Sequence, residues 1–209
     1  MTFAGMLEIH LTLSGTHEGA ARQRLQAHAE AIGWKYLHIV LSRGDTFSQP
    51  MLTRHVRSDL GTAQGVAKAA AQCLAADGFA VTRTKIETAP TRTDVPQSDE
   101  AAQTAPPCRY FEAHIKLLLP PTADIAALTQ VAESHGAHLS RNANKERADG
   151  NRERFVTVRG YRMGRETAHR NLLALLAALT PLGHEVLETE EEYVIYDSNE
   201  TEDKGWLTP

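Results

Sequence analysis

Two short segments of this chain carry residue types from which binding and catalytic sites are made. They are Glu8-Ile9-His10-Leu11-Thr12-Leu13 and, far along the chain, Glu112-Ala113-His114-Ile115-Lys116-Leu117. In each, Glu and His stand two apart with an apolar residue between them. On an extended strand that spacing sends both side chains to one face. An imidazole can donate or accept a proton near neutral pH, and beside carboxylates it can also ligate a metal ion. Arg54 and Arg159 add planar forks of donors suited to a carboxylate or phosphate. Tyr36 and His38 repeat the two-residue spacing on a further candidate strand.

The elements that must position these residues come in two similar sets. Each Glu-x-His strand is followed by a helical pattern ending in glycine: Ala21, Leu25, Ala29 and Ile32 before Gly33, then Ile125, Leu128, Ala132 and His135 before Gly136. Glycine just past a helix adopts the left-handed conformation at least cost. Later portions align at an offset of 105, which places Arg54 on Arg159, Arg57 on Arg162, Thr62 on Thr167 and Gly78 on Gly183. The shared order of these matches points to internal duplication. Strands are expected at about 6–13, 34–42, 50–57 and 79–87, with helices at about 17–32 and 60–76. The second set reads as strands at about 110–119, 137–142, 153–162 and 184–196, with helices at about 122–135 and 165–180. Strand, helix, strand, strand, helix, strand is the split βαβ unit. The expected fold is therefore α+β: tandem duplicated ferredoxin-like units with antiparallel sheets. Residues 1–88 and 109–197 form the units, 89–108 a linker and 198–209 an acidic C-terminal tail. The linker mixes four prolines with polar residues and offers only Val95 for burial, so it is expected to be disordered or loosely packed. The sheets are expected to join edge to edge or to leave a cleft, because face-to-face packing would bury charges that need partners.

Period-two alternation sorts the sheet faces. With Ile9, Leu11 and Leu13 towards the helices, Glu8, His10 and Thr12 take the other face; with Leu37, Ile39 and Leu41 inward, Tyr36 and His38 join them. Arg54 falls there too if Thr53 and His55 point to the helices. The second unit supplies Glu112, His114 and Lys116, then Phe155, Thr157, Arg159 and Tyr161. The expected catalytic candidates are His10, His114 and His38; the expected ligand-binding set is Arg54, Arg159, Glu8, Glu112, Tyr36 and Thr12. A metal site at Glu8, His10 and His38 lacks diagnostic spacing, so no metal ligand and no cofactor is assigned.

Two functions follow. In the first, the protein is a non-catalytic binding or interaction protein whose His/Glu/Arg sheet face holds a small anionic ligand or a protein partner. In the second, paired histidines split acid and base roles in a metal-independent phosphoesterase. His10-Leu11-Thr12-Leu13 resembles the His-hydrophobic-Thr-hydrophobic motif of the two-histidine phosphoesterases, a bilobal family with one motif per lobe. The resemblance implies that His10 and His114 are the catalytic pair. In the second segment Lys116 stands where that motif has Thr or Ser.

Composition narrows the field further. The formal net charge of −4 and the scarcity of face aromatics argue against a nucleic-acid surface. No apolar run approaches the length of a membrane span, and the first residues show no signal-peptide core. Cys73 is expected on the packed face of a helix and Cys108 exposed beside two prolines; a reduced, cytoplasmic protein is the expectation. A homodimer is expected if sheet edges stay free. The acidic tail contains Trp206, which is expected to dock on a surface of this chain or of a partner.

Overall fold

The computed structural model describes residues 3–15, 18–143 and 147–207. The first two residues, His17 ahead of the first helix and the centre of the 142–151 loop lie outside them. The first half runs β1 (Ala4–Leu13), α1 (Gly19–Ala31), β2 (Lys35–Leu41), β3 (Ser48–Asp59), α2 (Leu60–Ala76) and β4 (Val81–Thr88). After a short α3 (Asp99–Gln103), the second half repeats the order: β5 (Tyr110–Leu119), α4 (Ile125–Ser134), β6 (Ala137–Asn142), β7 (Arg152–Tyr161), α5 (Arg165–Leu179) and β8 (Glu185–Asp197). The fold is α+β, two ferredoxin-like units with antiparallel sheets.

Local chemistry sets the helix ends. Asp59 and Asp124 cap α2 and α4, accepting from Thr62 N at 2.8 Å and Ala127 N at 3.0 Å. Gly33 and Gly136 follow α1 and α4 at φ +73° and +68°, where a side chain would be strained. Each sheet turns its apolar face to its own helices. Leu7, Ile9, Leu11, Leu52 and Ile86 pack with Leu25, Ala63, Ala67 and Leu74 in one core. Ile115, Leu117, Leu139 and Val156 pack with Leu128, Leu172, Leu175 and Leu179 in the other. Among the described residues no helix is long and apolar enough to cross a membrane.

The two sheets meet at both edges. β2 pairs with β6 and β4 with β8, so the eight strands close into a barrel ordered β1-β3-β2-β6-β7-β5-β8-β4. Edge-to-edge joining is as expected, but done twice, and its consequence differs from an open face. The polar faces of both sheets become the barrel interior, and the helices form the outer layer. Interiors of eight-stranded barrels are just wide enough for side chains to fill or for one small ligand. The edge strands on which a homodimer was expected to form are paired within the chain.

The segment between the halves departs from the expectation of loose packing. Val95 is buried in the first core and Ala102 is buried as well. Arg92 pairs with Asp94 and donates to Ala4 O, and Asp99 accepts from Gly164 N at 2.7 Å at the start of α5. Buried Pro90, Val95 and Ala102 together with a few side-chain bonds order a segment rich in proline. Cys73 also differs from its expected place and is exposed, as is Cys108. The buried stripe of α2 runs through Ala63, Ala67, Ala70 and Leu74, and Cys73 lies one residue off it.

Candidate functional site

Strand register decides which side chains enter the barrel. Glu8 stands between His55 and Glu87, His10 between Thr53 and Lys85, and Thr12 between Met51 and Arg83. In the second half Glu112 stands between Arg159 and Glu192, and His114 between Thr157 and Glu190. Glu8, His10, Thr12, Glu112, His114 and Arg159 therefore share the interior, as the alternation suggested.

Three candidates do not. Arg54 is paired with Ile9, so it lies on the helix side, exposed, donating from Nη1 to Ile32 O at 3.4 Å. Tyr36 and His38 are paired with Leu52 and Pro50, also on the helix side. Tyr36 packs against the first core, and His38 Nε2 meets Ser48 Oγ at 2.8 Å. The cause is a slip of one residue. The two halves superpose in strand register at an offset of 104, Glu8 on Glu112 and His55 on Arg159, whereas the offset of 105 had placed Arg54 on Arg159. A one-residue slip on a strand sends every side chain to the opposite face.

Residues that the sequence reading passed over complete the site: Arg83, Lys85 and Glu87 on β4, His55 on β3, Glu192 on β8, and Asp197 and Asp203 near the C-terminus. The β4 trio was readable, since charges at alternate positions around Thr84 and Ile86 mark one face. At the centre, the Lys85 ammonium bridges Glu87 Oε1 at 2.5 Å and Glu112 Oε1 at 2.6 Å. His10 Nε2 donates to Glu87 Oε2 at 2.7 Å and lies 3.9 Å from Glu8 Oε1. Glu8 accepts from Thr53 Oγ1 at 2.5 Å and faces His55 Nε2 at 3.1 Å. His114 reaches Glu112 Oε1 at 3.2 Å, Glu192 Oε2 at 3.6 Å and, through Nδ1, Thr157 Oγ1 at 2.8 Å. One ligand atom each of Glu8, His10, Glu87 and Glu192 fall within 4.8 Å of one another, and the same holds for Glu112, His114 and Glu192.

The barrel is open at one end and closed at the other. Along β1, exposure falls from 49% at Met6 to 2% at Thr12. Beyond Thr12 the turn Glu200–Asp203 fills the end. There Arg83 forks onto Asp197, Nε at 2.9 Å and Nη2 at 2.5 Å, and reaches Asp203 Oδ2 at 2.6 Å. Arg159 donates to Glu112 through Nε and to Asp203 Oδ2 at 2.6 Å. Trp206 is buried against the chain itself, its Nε1 donating to Leu139 O at 3.0 Å.

Electrostatics follow from burial and pairing. Burial alone would push the Glu87 and Glu112 carboxyls up, yet the cations beside them, Lys85 and His10 for the first, Arg159 and Lys85 for the second, hold both well below the usual range. Burial opposes charge on the histidines too, but Glu87 raises His10, and bonds to Glu112 and Glu192 raise His114 to about 10. Burial, reinforced by Glu87, pushes Glu192 up to about 7. At neutral pH His114 is thus an imidazolium whose two protons are taken by carboxylates and Thr157, a poor base. The arginines expected to hold a phosphoester do not stand free beside the histidines: Arg54 is outside, and Arg159 bonds to Glu112 through Nε and to Asp203 through Nη2.

No protein-family model matches the chain, and no curated protein matches its sequence. Among solved structures, the small subunit of acetolactate synthase from Thermotoga maritima is 11% identical over 93% of this chain and 96% of that one, with a TM-score of 0.30. Two mutant forms of chlorite dismutase from Candidatus Nitrospira defluvii are 15% and 14% identical, over 92% and 93% of both chains, with TM-scores of 0.30 and 0.31. At these identities and scores the likeness carries no argument about ligand or activity.

Proposed function

We propose that the protein is a non-catalytic binding protein whose ligand is a divalent metal ion, held inside the barrel by Glu8, His10, Glu87 and Glu192. The observation that carries this reading is the convergence of those four side chains, from three strands and both halves, with ligand atoms within 4.8 Å of one another. Bonds of about 2.0–2.2 Å to a tetrahedral ion place neighbouring ligand atoms roughly 3.3–3.6 Å apart. The observed separations bracket that value, so small rotamer changes suffice.

Charge supports the same choice. Three carboxylates meet at this group, and Lys85, its one lysine or arginine, is shared with Glu112. The neighbouring group of Glu112, His114 and Glu192 is better compensated, since Glu112 has both Lys85 and Arg159. Among the described residues, Arg83 and Arg159 are each paired with carboxylates and Arg54 lies outside, which gives the anion expected from sequence no ready receptor at the centre. Carboxylates with one imidazole suit zinc, manganese or ferrous ions rather than soft cuprous ions. A cytoplasmic setting belongs to this reading and rests on two unpaired cysteines.

The test is calorimetric titration of chelator-treated protein with Zn²⁺ and Mn²⁺, alongside thermal unfolding. An ion at 100 times its dissociation constant adds about 2.7 kcal/mol, or roughly 5–11 °C in midpoint for a chain of this size. One equivalent should bind, and Glu192→Gln and His10→Ala should each weaken binding at least tenfold. No binding of either ion, or binding indifferent to both substitutions, would overturn the reading.

A further inference from the structure

The closed end of the barrel holds a second group with a different chemistry. Arg83 from β4 and Arg159 from β7 arrive from the two halves, their side chains only 5% and 3% exposed. Both donate to one atom, Asp203 Oδ2, each at 2.6 Å, while Gln49 Nε2 donates to Oδ1 at 3.0 Å. Asp197 grips the other side of the Arg83 fork, and Tyr110 OH reaches both Asp197 at 2.7 Å and Arg83 at 3.2 Å. Glu112 takes Arg159 Nε. Two buried guanidiniums thus converge on a single carboxylate.

Asp203 does not come from the barrel wall. It is carried by the turn Glu200–Asp203, which lies across the barrel end. Apart from the Asp203 contacts, that segment is fastened by Tyr161 OH to Glu200 Oε2, Gln49 to Glu202 O, Asp45 N to Lys204 O, an exposed Lys204–Asp45 ion pair and Trp206 Nε1 to Leu139 O. The carboxylate is also an incomplete match for its receptor. Arg159 Nη1, the nitrogen next to the one that holds Asp203 in the same planar fork, is buried and has no hydrogen-bond partner. An arginine fork is built to meet two oxygens side by side. Asp203 Oδ2 is shared between the arginines and Oδ1 accepts from Gln49, and neither oxygen bonds Nη1. A tetrahedral oxyanion presents a further oxygen and can reach that donor.

We propose that Arg83, Arg159 and Gln49 form a binding site for a phosphate group, that Asp203 is its built-in occupant, and that a phosphate ligand enters by displacing the Glu200–Trp206 segment. With Asp203 withdrawn, Asp197 and Glu112 still neutralise one arginine each. Arg83 Nη1 and both terminal nitrogens of Arg159 then become available to the incoming anion. A tethered carboxylate competes at an effective concentration in the millimolar range or above, so binding to the intact protein is weak until the segment leaves.

The experiment titrates full-length wild type and Asp203→Ala, both in chelator, with inorganic phosphate, a small phosphate monoester and acetate. Asp203→Ala should bind phosphate at least tenfold more tightly than wild type and prefer it to acetate. Asp203→Ala/Arg159→Met should lose that gain. A monoester bound at least as tightly as inorganic phosphate identifies a phosphorylated ligand; inorganic phosphate alone identifies the free ion. If Asp203→Ala does not fold, Trp206→Ala loosens the same segment with every charge in place and should raise phosphate affinity in the same direction. Unchanged phosphate affinity in a folded Asp203→Ala or Trp206→Ala protein overturns the proposal. So does a gain that survives Arg159→Met, or acetate binding as tightly as phosphate.

Discussion

Replacing Lys85 by methionine separates the roles of the interior cation and the proposed metal ion. The Lys85 ammonium lies 2.5 Å from Glu87 and 2.6 Å from Glu112, in a side chain 12% exposed. Removing one partner of a buried ion pair costs about 3–5 kcal/mol, because the charge left behind has lost both water and its counter-ion. Here the lower end applies, since Glu87 keeps His10 and Glu112 keeps Arg159. A loss of about 3 kcal/mol corresponds to roughly 6–12 °C in midpoint for a chain of this length. Lys85→Met should therefore unfold well below wild type in chelator. A divalent ion at Glu8, His10, Glu87 and Glu192 returns positive charge to Glu87, and in the variant it no longer competes with an ammonium. The rise in midpoint on adding Zn²⁺ or Mn²⁺ should be larger for Lys85→Met than for wild type, measured by scanning calorimetry with and without the ion. Midpoints within about 1 °C in chelator would refute the assigned role of Lys85. Equal responses to the ion would show that it does not share Glu87.

Other consequences can be checked by unfolding measurements. Arg54→Ala should change stability by no more than about 0.5 kcal/mol and leave metal affinity intact, whereas Arg159→Ala, which takes one of two cations from each of buried Glu112 and Asp203, should cost about 3 kcal/mol or more; similar costs would contradict the register. Val95→Ala should cost about 2 kcal/mol by chemical denaturation, and a loss under about 0.5 kcal/mol would mean that the 89–108 segment is loosely packed after all. Burial raises the Asp197 and Asp203 carboxyls, but the guanidiniums beside them win and hold both below the ordinary aspartate value of 3.8. Their contribution is therefore complete above that pH and lost as pH falls through the lower folded values. Fluorescence of Trp206 in a Trp34→Phe background should stay constant from pH 8 down to about 4 and shift to the red only at more acid pH; a transition near pH 6–7 would assign control of the segment to a histidine or Glu192 instead.

Much of this architecture was legible because its signals are local. β5 and α2 fall on the expected residues, and β1 and β5 alternate so cleanly between aliphatic and polar positions that their faces are unambiguous. Tyr36-Leu37-His38-Ile39-Val40 offers no such contrast, because either phase presents apolar groups to a core. Only the pairing of β2 and β3 with β1 settles its face, and that pairing is not written in the segment. Glu192 was hidden for a related reason: Glu190-Glu191-Glu192 is uniform, so alternation cannot say which acid turns inward. Barrel closure depends on contacts between residues far apart in sequence, such as Val40 with Arg141 and Thr88 with Tyr193. The order of the 89–108 segment depends on a few buried residues, Pro90, Val95 and Ala102, which composition averages away.

The most direct test of the central claim is diffraction from crystals grown in chelator and then soaked in Mn²⁺, with data collected for anomalous scattering. The account predicts one anomalous peak inside the barrel, within about 2.0–2.3 Å of His10 Nε2 and of oxygens from Glu8, Glu87 and Glu192. Peaks confined to the protein surface, with those four side chains unmoved, would contradict it.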